Sequence, residues 1–210
     1  MYIKQTLSTL LALACLLVAC GSQAATPEDQ QHALRVVLGL PDDEPGDVCK
    51  VEGVECDSRG NVLKLRLSRN QLTSLPSEIG QLSNLQTLSI VATQLTTLPS
   101  EIGQLTHLQY LVIVGTQLTS LPPEIGQLTH LQDLTLQNNQ LTSLPPEIGQ
   151  LTNLKDLYVA YNQLTSLPPE LGQLNNLNML DLRNNRLTGL PPELCAKLKD
   201  VDIDPPSLCP

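Results

Sequence analysis

Tryptophan and phenylalanine are absent from this 210-residue chain, and aromatic residues make up only 2% of it. Any core must therefore be built from leucine, isoleucine and valine rather than from rings. Positive charge is scarce too: 12 Lys and Arg stand against 21 Asp and Glu, a formal net charge of -9. A nucleic-acid partner is not expected, since there is no basic stripe to displace phosphate counterions. The same balance disfavours a purely electrostatic hold on an anionic membrane surface. There is no Gly-rich phosphate loop, no Ser or Cys nucleophile beside a His, and no isolated carboxylate pair. Neither an enzyme nor a cofactor-binding protein is expected.

What the chain does have is a repeat. Six 23-residue units begin at Val62, Leu85, Leu108, Leu131, Leu154 and Leu177, and the fourth reads LQDLTLQNNQLTSLPPEIGQLTN. Apolar residues recur at unit positions 1, 4, 6, 11, 14 and 18. Positions 3 to 7 alternate outward and inward, the period of a strand. Position 9 is Asn70, Asn139, Asn162 and Asn185 in four units, and Thr93 and Thr116 in the second and third. An Asn there can bond backbone groups where the chain leaves the strand. Thr reaches less far, which predicts a weaker ladder in those two units. A Leu-Pro step then ends the extended segment, and Glu-Ile-Gly-Gln-Leu reads as a short helical or 3₁₀ turn. Each coil can bury its leucines only against its neighbours, so both ends need caps.

This pattern resembles the leucine-rich-repeat family, in the LTxLPxEIGxL form of its 23-residue class. The resemblance implies an α/β repeat solenoid: an arc with six parallel strands on the concave face and short helical or 3₁₀ turns on the convex face. It also implies a non-catalytic protein-binding module. The chain divides into a signal segment 1–19, a tether 20–26, an N-terminal cap 27–61, the six repeats 62–199 and a C-terminal cap 200–210.

The first 19 residues carry one charge, Lys4, and an apolar stretch over 10–19 that is short for a transmembrane helix. The sequence Leu17-Val18-Ala19-Cys20-Gly21 resembles a bacterial lipobox, which implies lipidation at Cys20 and attachment to a membrane through that lipid. Gly21 after it is not the Asp that would resemble an inner-membrane retention signal, so the resemblance implies the outer membrane or cell surface. Ordinary signal cleavage near Ser22-Gln23-Ala24, giving a secreted protein, is the alternative. Four further cysteines remain, Cys49, Cys56, Cys195 and Cys209, an even number that reads as disulfides in an exported protein. The ends of a six-coil solenoid are about 25 Å apart at a strand spacing of about 4.8 Å. A disulfide cannot span that distance. The expected bonds are therefore Cys49–Cys56 and Cys195–Cys209, one stapling each cap.

Residues 27–40 read as a capping helix, with Thr26 as N-cap, Pro27 at N1, and Glu28 and Asp29 in the first turn. The following stretch, with Cys49, Gly53-Val54 and Cys56, resembles the N-terminal cap of plant leucine-rich-repeat receptors. It departs from that cap in lacking the aromatic before the Gly; Val51 and Glu52 stand there instead. At the other end Cys195 replaces the repeat's Gly, and Lys197 stands in the Leu column with Leu198 one place later. Val201 and Ile203 suggest a last short strand, stopped by Pro205-Pro206.

Unit positions 3, 5, 7 and 8 point outward from the strands, and there the copies differ. The first coil is basic, with Lys64, Arg66 and Arg69. The second and third are apolar, with Val91, Tyr110, Val112 and Val114. The fourth to sixth carry Asp133, Asp156, Tyr158, Tyr161 and Asp181. Tyr110, Tyr158 and Tyr161 are the only aromatics after the signal, and tyrosine is enriched in binding hot spots. A protein ligand on this face is the expected partner, with the chain itself monomeric. A secreted inhibitor or host-directed factor, similar in form to plant proteins that block cell-wall enzymes, is the alternative. The rival account of the valines and tyrosines is that such residues simply suit strands. No metal site is expected. The Glu78, Glu101, Glu124, Glu147, Glu170 and Glu193 column fits the first turn of a helix, and His107 and His130 fill a turn place that holds Asn in other units.

Overall fold

The computed structural model describes residues 25–41, 46–68, 72–190, 192–198, 201–204 and 206–209. The signal segment, Cys20, Arg69 and Asn70 lie outside these residues. One sheet runs through the chain: β1 (Val54–Cys56), β2 (Val62–Ser68), β3 (Thr87–Val91), β4 (Tyr110–Val114), β5 (Asp133–Thr135), β6 (Asp156–Tyr158), β7 (Met179–Asp181) and β8 (Asp202–Asp204), in that order. Strands β2 to β8 are parallel and pair equivalent residues of successive coils; β1 is antiparallel to β2. The six expected strands are β2 to β7. The last short strand expected around Val201 and Ile203 is β8, which begins one residue after Val201, and β1 is an addition at the N-terminal end.

The leucine and isoleucine columns form one continuous core, with Leu88, Leu111, Leu134 and Leu157 fully buried at the strand centres. Opposite the strands lie five 3₁₀ turns, Ser77–Gln81, Ser100–Gln104, Pro123–Gln127, Pro146–Gln150 and Pro169–Gln173. Proline precedes each and fixes φ where no N–H is needed. The two inward residues of each turn are three apart, as in Ile148 and Leu151, and three residues is the period of a 3₁₀ helix. The amide of Leu151 donates to Ile148 O at 3.2 Å.

The repeat's glycine is there for close approach. A Cβ on Gly149 would lie 2.5 Å from the Glu170 carbonyl oxygen of the next coil, and one on Gly103 2.7 Å from that of Glu124. The last repeat turn has no further repeat turn stacked on it, which is why Cys195 can occupy the glycine place. That turn is the α-helix α2 (Pro192–Lys197), following α1 (Pro27–Leu38) in the N-terminal cap. Its amide bond runs from Leu198 N to Leu194 O at 3.0 Å, a four-residue step. The wider α period moves the buried leucine from the Lys197 column to Leu198, so the displaced leucine in the sequence is in register in the fold.

The capping helix α1 ends at Leu38 rather than residue 40, because Gly39 adopts φ 65 and closes it. Thr26 and Asp29 form a reciprocal capping box at its start. Gln30 on this helix is fully buried. Its Oε1 accepts from Val62 N at 3.2 Å and its Nε2 donates to Asn84 Oδ1 at 2.7 Å, so one side chain satisfies the exposed start of the first coil. Disulfides Cys49–Cys56 and Cys195–Cys209 are both formed, one in each cap.

Candidate functional site

The sheet's register assembles the outward positions into continuous rows. One row runs Lys64, Thr87, Tyr110, Asp133, Asp156, Met179 and ends on Asp202. The next runs Arg66, Ser89, Val112, Thr135, Tyr158, Asp181 and ends on Asp204. Sequence reading missed Asp202 and Asp204 as members. The alternation of Val201 and Ile203 carried the signal, since a strand that buries Ile203 turns its flanking residues outward.

At the basic end the two cations differ. Lys64 Nζ is 2.7 Å from Glu55 on β1, and this bond holds the Glu55 carboxyl below its ordinary range. Arg66 is exposed and makes no ion pair or side-chain hydrogen bond among the described residues. Its backbone N–H donates to Gly53 O at 2.8 Å, and Gly53 must be glycine there: φ is 88, and a Cβ would stand 2.6 Å from Arg66 O. A cavity of about 410 Å³ opens beside Arg66, lined also by Leu38, Glu52, Gly53, Leu67 and Ser68. Glu55 became visible as Lys64's partner only through the β1–β2 hairpin. Sequence reading missed that hairpin; the turn residues Asp57 and Gly60 are the signal that could have found it, with Asp57 Oδ1 accepting from Arg59 N at 2.8 Å and Asn61 N at 2.9 Å.

In the middle, Val91, Val112 and Val114 are half-buried, each partly covered by its cross-strand neighbours, and Tyr110 is 44% exposed. The valines thus form a shallow apolar floor rather than a row of protruding side chains. Strands β3 and β4 extend to Val91 and Val114, whereas β5 to β7 stop three residues in. These longer strands belong to the two Thr coils. Leu95 N donates to Thr93 Oγ1 at 3.3 Å, and Leu118 N reaches Asn139 Oδ1 at 3.4 Å. The Leu95 bond stays within its own coil, whereas the Leu118 bond reaches the next coil; in the Asn coils that inter-coil bond, Leu141 N to Asn162 Oδ1 or Leu164 N to Asn185 Oδ1, is 3.0 Å. Position 8 is left-handed throughout the described coils: Ala92, Gly115, Asn138, Tyr161 and Asn184 have φ between 54 and 65. Tyr161 is 52% exposed there, at the edge of the face and off the two main rows. Ala160, before it, is fully buried although its position alternates outward.

The acidic end contains two different arrangements. Asp133 and Asp156 are adjacent in the row, half-buried, and unpaired with any cation among the described residues. Burial and the neighbouring Asp156 push the Asp133 carboxyl up, against the pull of a Thr135 hydroxyl donating to it at 2.9 Å. Burial and the three carboxylates around it also push the Tyr158 phenol up, so it remains a hydrogen-bond donor. Asp181 differs: it is 2% exposed and covered by Arg183, which also reaches Asp204 at 2.9 Å. Asp181 therefore sits beneath the face as a support.

The remaining polar columns have structural work. His107 Nδ1 and His130 Nδ1 lie 2.9 and 2.8 Å from the Ser83 and Thr106 carbonyls, where Asn153 and Asn176 donate to Thr129 O and Thr152 O at 2.7 Å. The two imidazoles stack with centroids 6.1 Å apart.

Family models described as leucine-rich repeat region and leucine rich repeat match residues 14–113, 100–165 and 152–202. The chain belongs to the leucine-rich-repeat family. The leucine-rich-repeat fold is typical of non-catalytic protein-interaction modules. Among solved structures, a leucine-rich-repeat protein of Leptospira interrogans is 42% identical over 67% of this chain and 42% of its own length, with a TM-score of 0.56. This chain thus spans less than half of that protein. The ectodomain of the receptor kinase SOBIR1 from Arabidopsis thaliana is 25% identical, covering 80% of this chain and 97% of its own, with a TM-score of 0.65. The plant peptide hormone receptor RGFR1, in complex with RGF2, is 33% identical over 74% of this chain and 29% of its own length, at a TM-score of 0.61. No curated protein matches.

Proposed function

We propose that this leucine-rich-repeat chain is a non-catalytic protein-binding module of a bacterial envelope, anchored by a lipid on Cys20 and binding its ligand on the concave sheet face. The observation that carries the reading is the non-repetition of that face. The buried columns are nearly invariant, whereas the outward rows change from basic to apolar to acidic over six coils. The receptor RGFR1, a peptide hormone receptor similar in fold, supports a polypeptide ligand. Two formed disulfides support an oxidising compartment outside the cytoplasm. The face would use Tyr110, Val112, Val91 and Val114 at its centre, Arg66 and Lys64 at one end, and Asp133, Asp156 and Tyr158 at the other.

The test is capture of a partner from envelope and host extracts. Tyr110→Ala and Val112→Asp are expected to abolish capture without lowering the thermal midpoint; capture that survives both would move the site elsewhere. Palmitate should label the wild type and not Cys20→Ser. Soluble, unlabelled wild-type protein would replace the anchored reading with a secreted one.

A further inference from the structure

The unpaired charges on the face are fewer than the sequence suggests, and their positions define a pattern. Lys64 is taken by Glu55, and Asp181 and Asp204 by Arg183. Among the described residues of the two main rows, this leaves Arg66 at one end, the neighbouring pair Asp133 and Asp156 in the middle coils with Tyr158 beside them, and the exposed Asp202 at the far end. Between lie Val112 and the exposed Tyr110. A uniformly acidic or uniformly basic segment laid across these strands would meet a like charge at one pole. A segment of mixed sign would meet none.

We infer that the ligand docks an extended segment with an Asp or Glu side chain over Arg66, apolar side chains over Val112 and Tyr110, and a Lys or Arg over Asp156 and Tyr158. This rests on the concave-face reading proposed above and adds the chemistry and length of what binds there. Arg66 on β2 and Tyr158 on β6 are four strand steps apart. At about 4.8 Å per step the span is about 19 Å, which an extended chain rising about 3.3 Å per residue crosses in about six residues. The planar guanidinium of Arg66 suits a bidentate carboxylate. At the other pole the half-buried Asp133 and Asp156 carboxylates, unpaired with any cation among the described residues, take the ligand's cation.

The experiment is selection of a phage-displayed library of random twelve-residue peptides on the purified full-length chain. Enriched peptides should carry an acid and a Lys or Arg about six residues apart with apolar residues between. Peptides selected on the wild type should bind Arg66→Glu at least tenfold more weakly, and selection on Arg66→Glu should replace the acid by a base. Enrichment without this charge pattern, indifference to Arg66→Glu, or no enrichment at all would overturn the inference. Val112→Asp separates it from the broader reading. If selected peptides bind that variant as well as the wild type, the concave face itself is wrong. If Val112→Asp abolishes binding and Arg66→Glu does not, only the charge pattern is wrong.

Discussion

Arg183 folds back over Asp181, two residues earlier in the chain, with Nε 3.0 Å from Oδ1 and Nη2 2.8 Å from Oδ2. The backbone N–H of Arg183 adds a third bond to Oδ1 at 3.1 Å, and Gln137 Nε2 a fourth to Oδ2 at 3.3 Å. The Arg183 bond is the main reason the Asp181 carboxyl is held below its ordinary range; burial opposes it. A depressed folded value means that this carboxylate stabilises the fold above the unfolded pKa of about 3.9. That contribution is lost as pH falls through the lower folded value.

Arg183→Leu should therefore be less stable than the wild type at pH 7, because a buried carboxylate loses its cation. The gap should begin to shrink as pH falls below about 4, the unfolded value, and close once pH passes the lower folded value of Asp181. The double variant with Asp181→Leu should recover much of the loss. Thermal midpoints across pH 7 to 2 would show it; a gap that persists at the acid end would mean that packing, not the ion pair, is responsible.

The Asn ladder predicts unequal costs. Asn162 is buried, donates to Leu136 O at 2.9 Å and Val159 O at 3.0 Å, and accepts from Leu141 N. Asn162→Ala strands all three buried groups and should cost about 3 kcal/mol, while Thr93→Ala, with one long bond, should cost about 1 kcal/mol. Urea unfolding of the two variants tests the order. Equal costs would mean that water replaces the amide.

Two alanine substitutions compare a glycine at a close approach with one that faces open space. Gly149→Ala places a Cβ 2.5 Å from Glu170 O, a backbone atom that cannot swing away, and should cost about 1–3 kcal/mol. Gly46→Ala meets nothing within 4 Å and should be close to neutral. Comparable losses from denaturant titration would show that the coils can separate without strain.

The solenoid was legible because each buried column repeats, so a single coil's reading was checked six times over. The displaced Leu198 looked like a departure only because a 3₁₀ period was carried into a coil that is α-helical. The face was less legible for a different reason. Alternation says which way a side chain leaves the strand, not what lies over it. Ala160 and Asp181 alternate outward yet are covered, and Lys64 looked free until β1 brought Glu55 beside it. Gln30 gave no signal at all. A glutamine beside Gln31 on an amphipathic helix reads as solvated, and only the docking of α1 reveals the Val62 amide that Gln30 serves.

Gln30 consequently offers a sharp test of the N-terminal cap. Gln30→Ala removes the acceptor for Val62 N, which is left buried, and the donor to the partly buried Asn84 Oδ1. The loss should be about 1–3 kcal/mol, the cost of leaving buried polar groups unsatisfied. It should also be local, because coils couple only through their neighbours. Amide hydrogen exchange should accelerate most at Val62 and in α1, and least in β5 to β7. Uniform acceleration across the coils would instead mean that the solenoid unfolds as one unit and that the cap holds the whole array.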